Sequence, residues 1–195
     1  MGKPKMLLPW GRTSVIGHLI AQWRDLGAEQ IAVVTASGDL VMAEELERLG
    51  FPEKDRIYNP SPELGMFSSI QCAARWTGWK TELSHWVIAL GDQPHLRTET
   101  LRDLIMLGAR HPGTVCQLSR QGRPRHPVLL PAAAFRPLGN STSANLKDFL
   151  QELPLEFALA ESNDAGLDLD IDQPSDYEKA LGLFMNDEKT ESDRR

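Results

Sequence analysis

Three aspartates in this sequence stand where a carboxylate can reach beyond its own backbone: Asp92, Asp170 and Asp172. The apolar run from His85 to Leu90 reads as a strand, and it ends at Gly91-Asp92-Gln93-Pro94, where Pro94 stops it from continuing. Open α/β sheets bind their ligands in the crevice beyond the C-terminal ends of the strands. A carboxylate at that place is a hard oxygen ligand suited to Mg2+. A lone strand-end aspartate can instead cap the turn or helix that follows it. Asp170 and Asp172 alternate along a short extended segment and so share one face of it, with Asp168 extending the same face. A second carboxylate arriving from a distant part of the chain is what a magnesium triphosphate site requires, because the metal neutralises phosphate charge as the leaving group departs. The other reading is a solvated acidic loop ahead of a helix N-terminus, and it suits Asp168 better than Asp172.

The elements that must position these groups alternate between short apolar runs and amphipathic stretches, the pattern of a mostly parallel α/β sheet with helices on both faces. Val15, Ile16, Leu19, Ile20, Trp23 and Leu26 recur at helical spacing after the capping candidates Thr13 and Ser14, and Gly27 supplies a stop. A strand over 31–35, a helix over 40–49 closed by Gly50 and a short strand over 56–58 follow. Beyond the loop 59–65 come a helix over 66–76, the strand over 85–90 and a helix capped by Thr98 that runs to about Ala109. Residues 114–118 and 127–130 read as strands around the polar turn 120–125, a hairpin-like insertion. A helix over 144–153, strands over 155–159 and 167–171, and a helix over 175–184 complete the domain, 1–184, leaving 185–195 as a polar tail expected to fray.

Composition narrows the function classes. The 195 residues are 41% hydrophobic and 25% charged, which suits one globular domain. A net charge of −6 offers no broad basic surface for nucleic acid or an anionic membrane. Neither the apolar runs nor the N-terminus has the length of a membrane span or the character of a signal peptide, so a cytoplasmic protein is expected. Cys72 and Cys116 have no CxxC spacing or nearby ligand cluster and read as free thiols.

Five segments in order carry a family resemblance. They are 1–11 (MGKPKMLLPWG), Asn59-Pro60 with 65–70 (GMFSSI), 89–94 (ALGDQP), 125–128 (RHPV) and 170–177 (DIDQPSDY). Together they resemble the molybdenum cofactor cytidylyltransferases of the MobA-like NTP transferase family, and with them the nucleotide-diphospho-sugar transferase type of Rossmann-like fold. The resemblance implies that Lys5 contacts a triphosphate and that Gly65, Ser68 and Ser69 bind the nucleotide at a helix start, where N–H groups attract anions. It further implies that Asp92 holds Mg2+ with Asp172, Asp170 being the alternate ligand, and that His126 borders the acceptor. The implied reaction joins CTP to the phosphate of a molybdopterin-type acceptor and releases pyrophosphate. The product would pass to a molybdenum hydroxylase.

The sequence departs from that pattern at Arg125, where the family has Gly before its His-Pro pair, and over 139–145, where the family carries an acidic turn. Met1 aligns inside the first motif, so the family's first strand and most of its phosphate-cradling loop are not represented. An upstream segment with an apolar strand and a Gly-rich turn is therefore expected. Strands 31–35 and 86–90 should then stay apart around an open centre of the sheet. Related guanylyl- or sugar-phosphate nucleotidyltransferases, and a non-catalytic binding protein, are the alternatives. A nicotinamide-binding Rossmann domain is disfavoured because no GxGxxG follows a strand.

Overall fold

The computed structural model describes residues 4–192. A tight turn at Lys5–Leu7 leads into a small hairpin of β1 (Pro9–Trp10) and β2 (Thr13–Ser14). Helix α1 (Val15–Asp25) starts where the Ser14 hydroxyl accepts the Gly17 N–H, and it ends before Gly27, whose φ of 85° a side-chain-bearing residue rarely adopts. The chain continues through β3 (Val33–Ala36), α2 (Leu40–Arg48), β4 (Arg56–Asn59), α3 (Met66–Arg75), β5 (His85–Ile88) and α4 (Thr98–Arg110). It closes with β6 (Val115–Arg120), β7 (Arg123–Pro131), α5 (Ala132–Phe135), α6 (Leu146–Glu152), β8 (Phe157–Glu161) and α7 (Pro174–Ser192).

The main sheet runs β5-β7-β6-β8, and β3 and β4 form a separate parallel pair. Helices cover both of its faces by the two-residue alternation of its strands. Trp86, Val115, Val128 and Leu130 face the side covered by α3, α5 and α6 through Phe67, Ile70, Phe135 and Phe149. Cys116, Leu118 and Leu129 face Leu101 and Leu104 of α4. The α/β class is as expected, but the pairing is less parallel than the sequence suggests. β5–β7 and β7–β6 are antiparallel, and only β6–β8 is parallel within this sheet. The cause is the turn at Gln121 and Gly122, both at positive φ (52° and 71°), which folds β7 back along β6. The hairpin is therefore no insertion: β7 and β6 are the two interior strands, and β7 is buried from Pro127 to Pro131.

Two other boundaries differ. Residues 167–171 form no strand, because the Asp164 carboxylate accepts the Gly166 N–H and caps a short 3-10 turn over Ala165–Asp168. Helix α7 passes Phe184 and runs to Ser192 where a frayed tail was expected; residues 1–3 of the first motif and 193–195 of the tail lie outside the described residues.

Strands β3 and β5 do not pair with each other, as expected for a sheet open at its centre: among the described residues β3 bonds to β4 and β5 to β7. Helix α1 spans the separation on one side, packing Ile16 and Ile20 with Val33 and sending Trp23 and Leu26 toward the cluster that includes Val87. Helix α3 does so on the other side, touching β3 and β4 while placing Phe67 and Ile70 with Trp86. Amides of β3 and β5 that point away from their partner strand are held by no ladder. In hydrogen exchange they are expected to exchange at least about tenfold faster than the amides of the β6–β7 ladder; equal protection would show that the two edges are bonded in solution.

Candidate functional site

The site is built where the turn at Lys5–Leu7 crosses the end of β5. Gly91 leaves room for this: a Cβ there would lie 2.5 Å from the Met6 sulfur, so the glycine lets Met6 settle on the strand end, next to Lys5 over Asp92. The Ile171 N–H donates to the Asp92 carbonyl at 3.1 Å, and the Ile171 side chain is buried with Trp10, Val15, Leu19 and Ala180. The Tyr177 hydroxyl donates to the Pro9 carbonyl and ties α7 to the same N-terminal segment. Three pieces of chain far apart in sequence thereby meet at one point.

At that point the Lys5 ammonium donates to Asp92 Oδ2 at 2.7 Å and to Asp172 Oδ1 at 3.3 Å. Partial burial works against the Lys5 charge, but its bonds to Asp92 and Asp172 outweigh this and hold its pKa above the ordinary lysine value. Asp92 Oδ1 is buried and has no hydrogen-bond partner among the described residues. A bare buried carboxylate oxygen beside a second carboxylate is an acceptor for a ligand.

Asp170 and Asp172 do not share a partner. The Asp172 N–H folds back onto the Asp170 carbonyl at 3.1 Å, so the segment turns at Ile171 and separates the two side chains. Asp170 accepts from Gln93 Nε2 at 2.8 Å, and Asp168 is taken by Arg120 Nε at 2.6 Å and Arg125 Nη2 at 2.5 Å. The structure thus joins Lys5, Asp92 and Asp172, pairs Asp170 with Gln93, and gives Asp168 to the β6–β7 hairpin. His126 is half-buried, lies within the field of Asp170 and Asp92, and leaves Nδ1 without a partner among the described residues. Gln93, Gly91 and Ile171 were passed over in the sequence, although Gly91 and Gln93 flank Asp92 directly.

The start of α3 is a second cluster. Gly65 stands at φ 84°, ψ −176°, a conformation in effect reserved to glycine. The buried Asn59 amide donates to Ser68 Oγ at 2.7 Å and Ser69 Oγ at 3.0 Å, and its carbonyl accepts the Ser61 N–H. Ser68 spends its own proton on the Gly65 and Ser61 carbonyls. No hydrogen bond among the described residues links this cluster to Lys5, Asp92 or Asp172. A cleft of about 150 Å3 between α4 and β8 is lined by Asp103, Met106, Arg110 and Glu161, away from all of these groups. The unpartnered carboxylate, not the cleft, is the candidate.

Residues 1–157 match the MobA-like NTP transferase domain, and the chain belongs to that family. It is a nucleotidyltransferase. The segment carrying Asp170 and Asp172 lies beyond the matched residues. No curated protein matches the sequence. Among solved structures, a nucleotidyl transferase from Methanothermobacter thermautotrophicus has TM-score 0.73 and 22% identity, covering 93% of this chain and 85% of that one. Rv0371c of Mycobacterium tuberculosis, solved as a complex with manganese, has TM-score 0.66 and 21% identity, covering 93% of each chain. Molybdopterin-guanine dinucleotide biosynthesis protein A from Archaeoglobus fulgidus has TM-score 0.63 and 16% identity, covering 95% and 92%.

Burial pushes His18, His95 and His126 below the ordinary histidine pKa, and backbone contacts at Pro94, Gly166 and Ile88 offset this only in part. Each is neutral in the folded chain at neutral pH, whereas the unfolded chain takes up protons near pH ~6.5. The unfolded state therefore binds more protons below that pH, and folding stability falls as the pH drops from about 7 to 5. Thermal melts across this window are expected to show a falling midpoint, with a shallower slope in His126→Asn; a flat profile in the native chain would contradict the neutral assignment.

Proposed function

We propose that the chain transfers the cytidylyl group of CTP to the phosphate of a molybdopterin-type acceptor, with Mg2+ as the cation and pyrophosphate as the second product. The single observation that carries this reading is the meeting of Asp92, Asp172 and Lys5, with one buried Asp92 oxygen left unpartnered. Among the described residues no three His, Cys, Asp or Glu side chains cluster to hold a metal on their own. Two carboxylates suit a cation that keeps several waters and takes its remaining ligands from phosphate, as Mg2+ does. Asp92 and Asp172 would hold that cation, which when bound neutralises charge on the triphosphate oxygens.

The chain's own groups do the rest by position and charge. An acceptor phosphate oxygen forms the new bond to the α-phosphorus, and the bond from that phosphorus to the bridging oxygen of the β-phosphate breaks, so the electron pair leaves with pyrophosphate. The attacking oxygen is already ionised near neutral pH, and no general base is required. Lys5 is a compact cation for the triphosphate. The start of α3, with Gly65, Ser68 and Ser69, faces the nucleotide; the Gly65 and Ser68 N–H groups are held by the Pro62 and Gly65 carbonyls, Ser68 shapes the loop, and Ser69 receives a bond from Asn59 and keeps its own proton to donate. His126 faces the acceptor side, where its unpartnered Nδ1 and the neighbouring Arg125 select the acceptor. Asp170, held by Gln93, orients that side and is the alternate cation ligand. The product would serve a molybdenum hydroxylase. GTP is the second candidate nucleotide, since one structural relative is a molybdopterin-guanine dinucleotide protein.

The test is pyrophosphate release with molybdopterin-type acceptor, Mg2+ and CTP, GTP or ATP in turn. CTP is expected to be preferred, and Asp92→Asn is expected to lose about 10³-fold in turnover with its thermal midpoint kept. No pyrophosphate release with any of the three nucleotides would favour a binding protein. His126→Ala should raise the KM for acceptor more than that for CTP; equal changes in both would remove His126 from the acceptor side.

A further inference from the structure

We infer that Lys5 is the internal counter-ion of the Asp92–Asp172 pair, and that Lys5 and the divalent cation occupy this pair in alternation. The inference rests on Asp92 and Asp172 being the cation's ligands and adds a second station for Lys5. Its Nζ lies 2.7 Å from Asp92 Oδ2 and 3.3 Å from Asp172 Oδ1, on the carboxylates a cation would use. A cation bridging the acids through Asp92 Oδ2 and Asp172 Oδ1 at about 2.1 Å, with the free Asp92 Oδ1 as a further oxygen to it, would stand almost in contact with the ammonium, and two positive charges so close repel. Both cannot stay.

The surroundings allow the lysine to leave. Its side chain is 35% exposed and that of Asp172 is 70% exposed, so neither is walled in. The backbone is fixed next door, where Met6 seats against Gly91, so the flexible four-carbon stem can swing without moving the turn. A triphosphate supplies the anion that receives the ammonium. In its absence a cation must break two ion pairs and leave Lys5 unpaired; in its presence it exchanges them. Lys5 therefore adds to the positive coupling that direct phosphate ligation gives metal and triphosphate, and by linkage each strengthens the other equally.

The native chain tests this by trace acetylation, read at each lysine by peptide mass spectrometry with exposed Lys54 as the internal standard. Mn2+ alone is expected to raise labelling of Lys5 relative to Lys54 by at least about fivefold, and adding CTP to the Mn2+ should lower it again. In parallel, free Mn2+ is measured by its electron paramagnetic resonance signal, with folding of every variant checked by thermal melting. Lys5→Gln should bind Mn2+ alone about tenfold more tightly than the native chain and show a smaller gain from CTP, keeping only the part that comes from phosphate oxygens on the cation; Lys5→Met serves if that variant does not fold. Unchanged Lys5 labelling with Mn2+ bound, or Lys5→Gln and Lys5→Met binding Mn2+ no better than the native chain, overturns the inference. Asp92→Asn separates the two levels. If it binds Mn2+ as well as the native chain, the ligand assignment itself fails. If it loses Mn2+ while native Lys5 labelling does not respond, the counter-ion role alone fails.

Discussion

The hydrogen bond from the Ile171 amide to the Asp92 carbonyl is the constraint on which the site's geometry depends. It fixes the segment that carries Asp172 beside the end of β5, and the buried Ile171 side chain keeps it there by packing with Trp10, Leu19 and Ala180. A single backbone bond contributes only about 1 kcal/mol net, and full burial of an isoleucine side chain adds about 2 kcal/mol. The two act on the same residue, so the carboxylates are positioned by the core and not by their own mutual repulsion. The N-terminal turn joins the same cluster through Met6 and Leu8, which places Lys5 over both acids.

The ion group is too exposed to serve mainly as a staple. Asp172 is 70% exposed in its side chain, and pairs of that kind contribute about 0–1 kcal/mol. Asp92 differs, with one oxygen in the ion pair and the other buried without a partner. An arrangement in which one acid is half enclosed and the other open to solvent permits exchange of the counter-ion at little expense to the fold. The hairpin side contrasts with it: Asp168 is locked between Arg120 and Arg125, and those pairs hold the carboxyl below its usual range despite its partial desolvation.

Much of this could be read in the sequence because it is encoded locally. The Ser14 cap, the Gly27 and Gly50 stops and the strand-ending Gly91-Asp92-Gln93-Pro94 act within a few residues, and the elements they bound stand close to where periodicity put them. Asp92, Asp172 and Lys5 were legible through types and motif order, and the structure brings them together. What escaped depends on distant partners. Alternation predicts a common face for Asp170 and Asp172, but the turn at Ile171 is imposed by its bond to Asp92 and separates them. The interior place of β7 follows from its pairing with β5, which no local pattern announces. Ser68 carries the residue type of an anion contact, yet Asn59 and the Gly65 carbonyl use its hydroxyl to shape the loop.

The most direct measurement is anomalous diffraction from crystals of the chain grown with Mn2+ and a non-reacting CTP analogue. One strong manganese peak is expected within about 2.3 Å of oxygens from both Asp92 and Asp172, given usual metal–oxygen distances, with the Lys5 ammonium turned onto the triphosphate. A peak bound elsewhere, or one reaching Asp92 while Lys5 still bridges to Asp172, would contradict this arrangement.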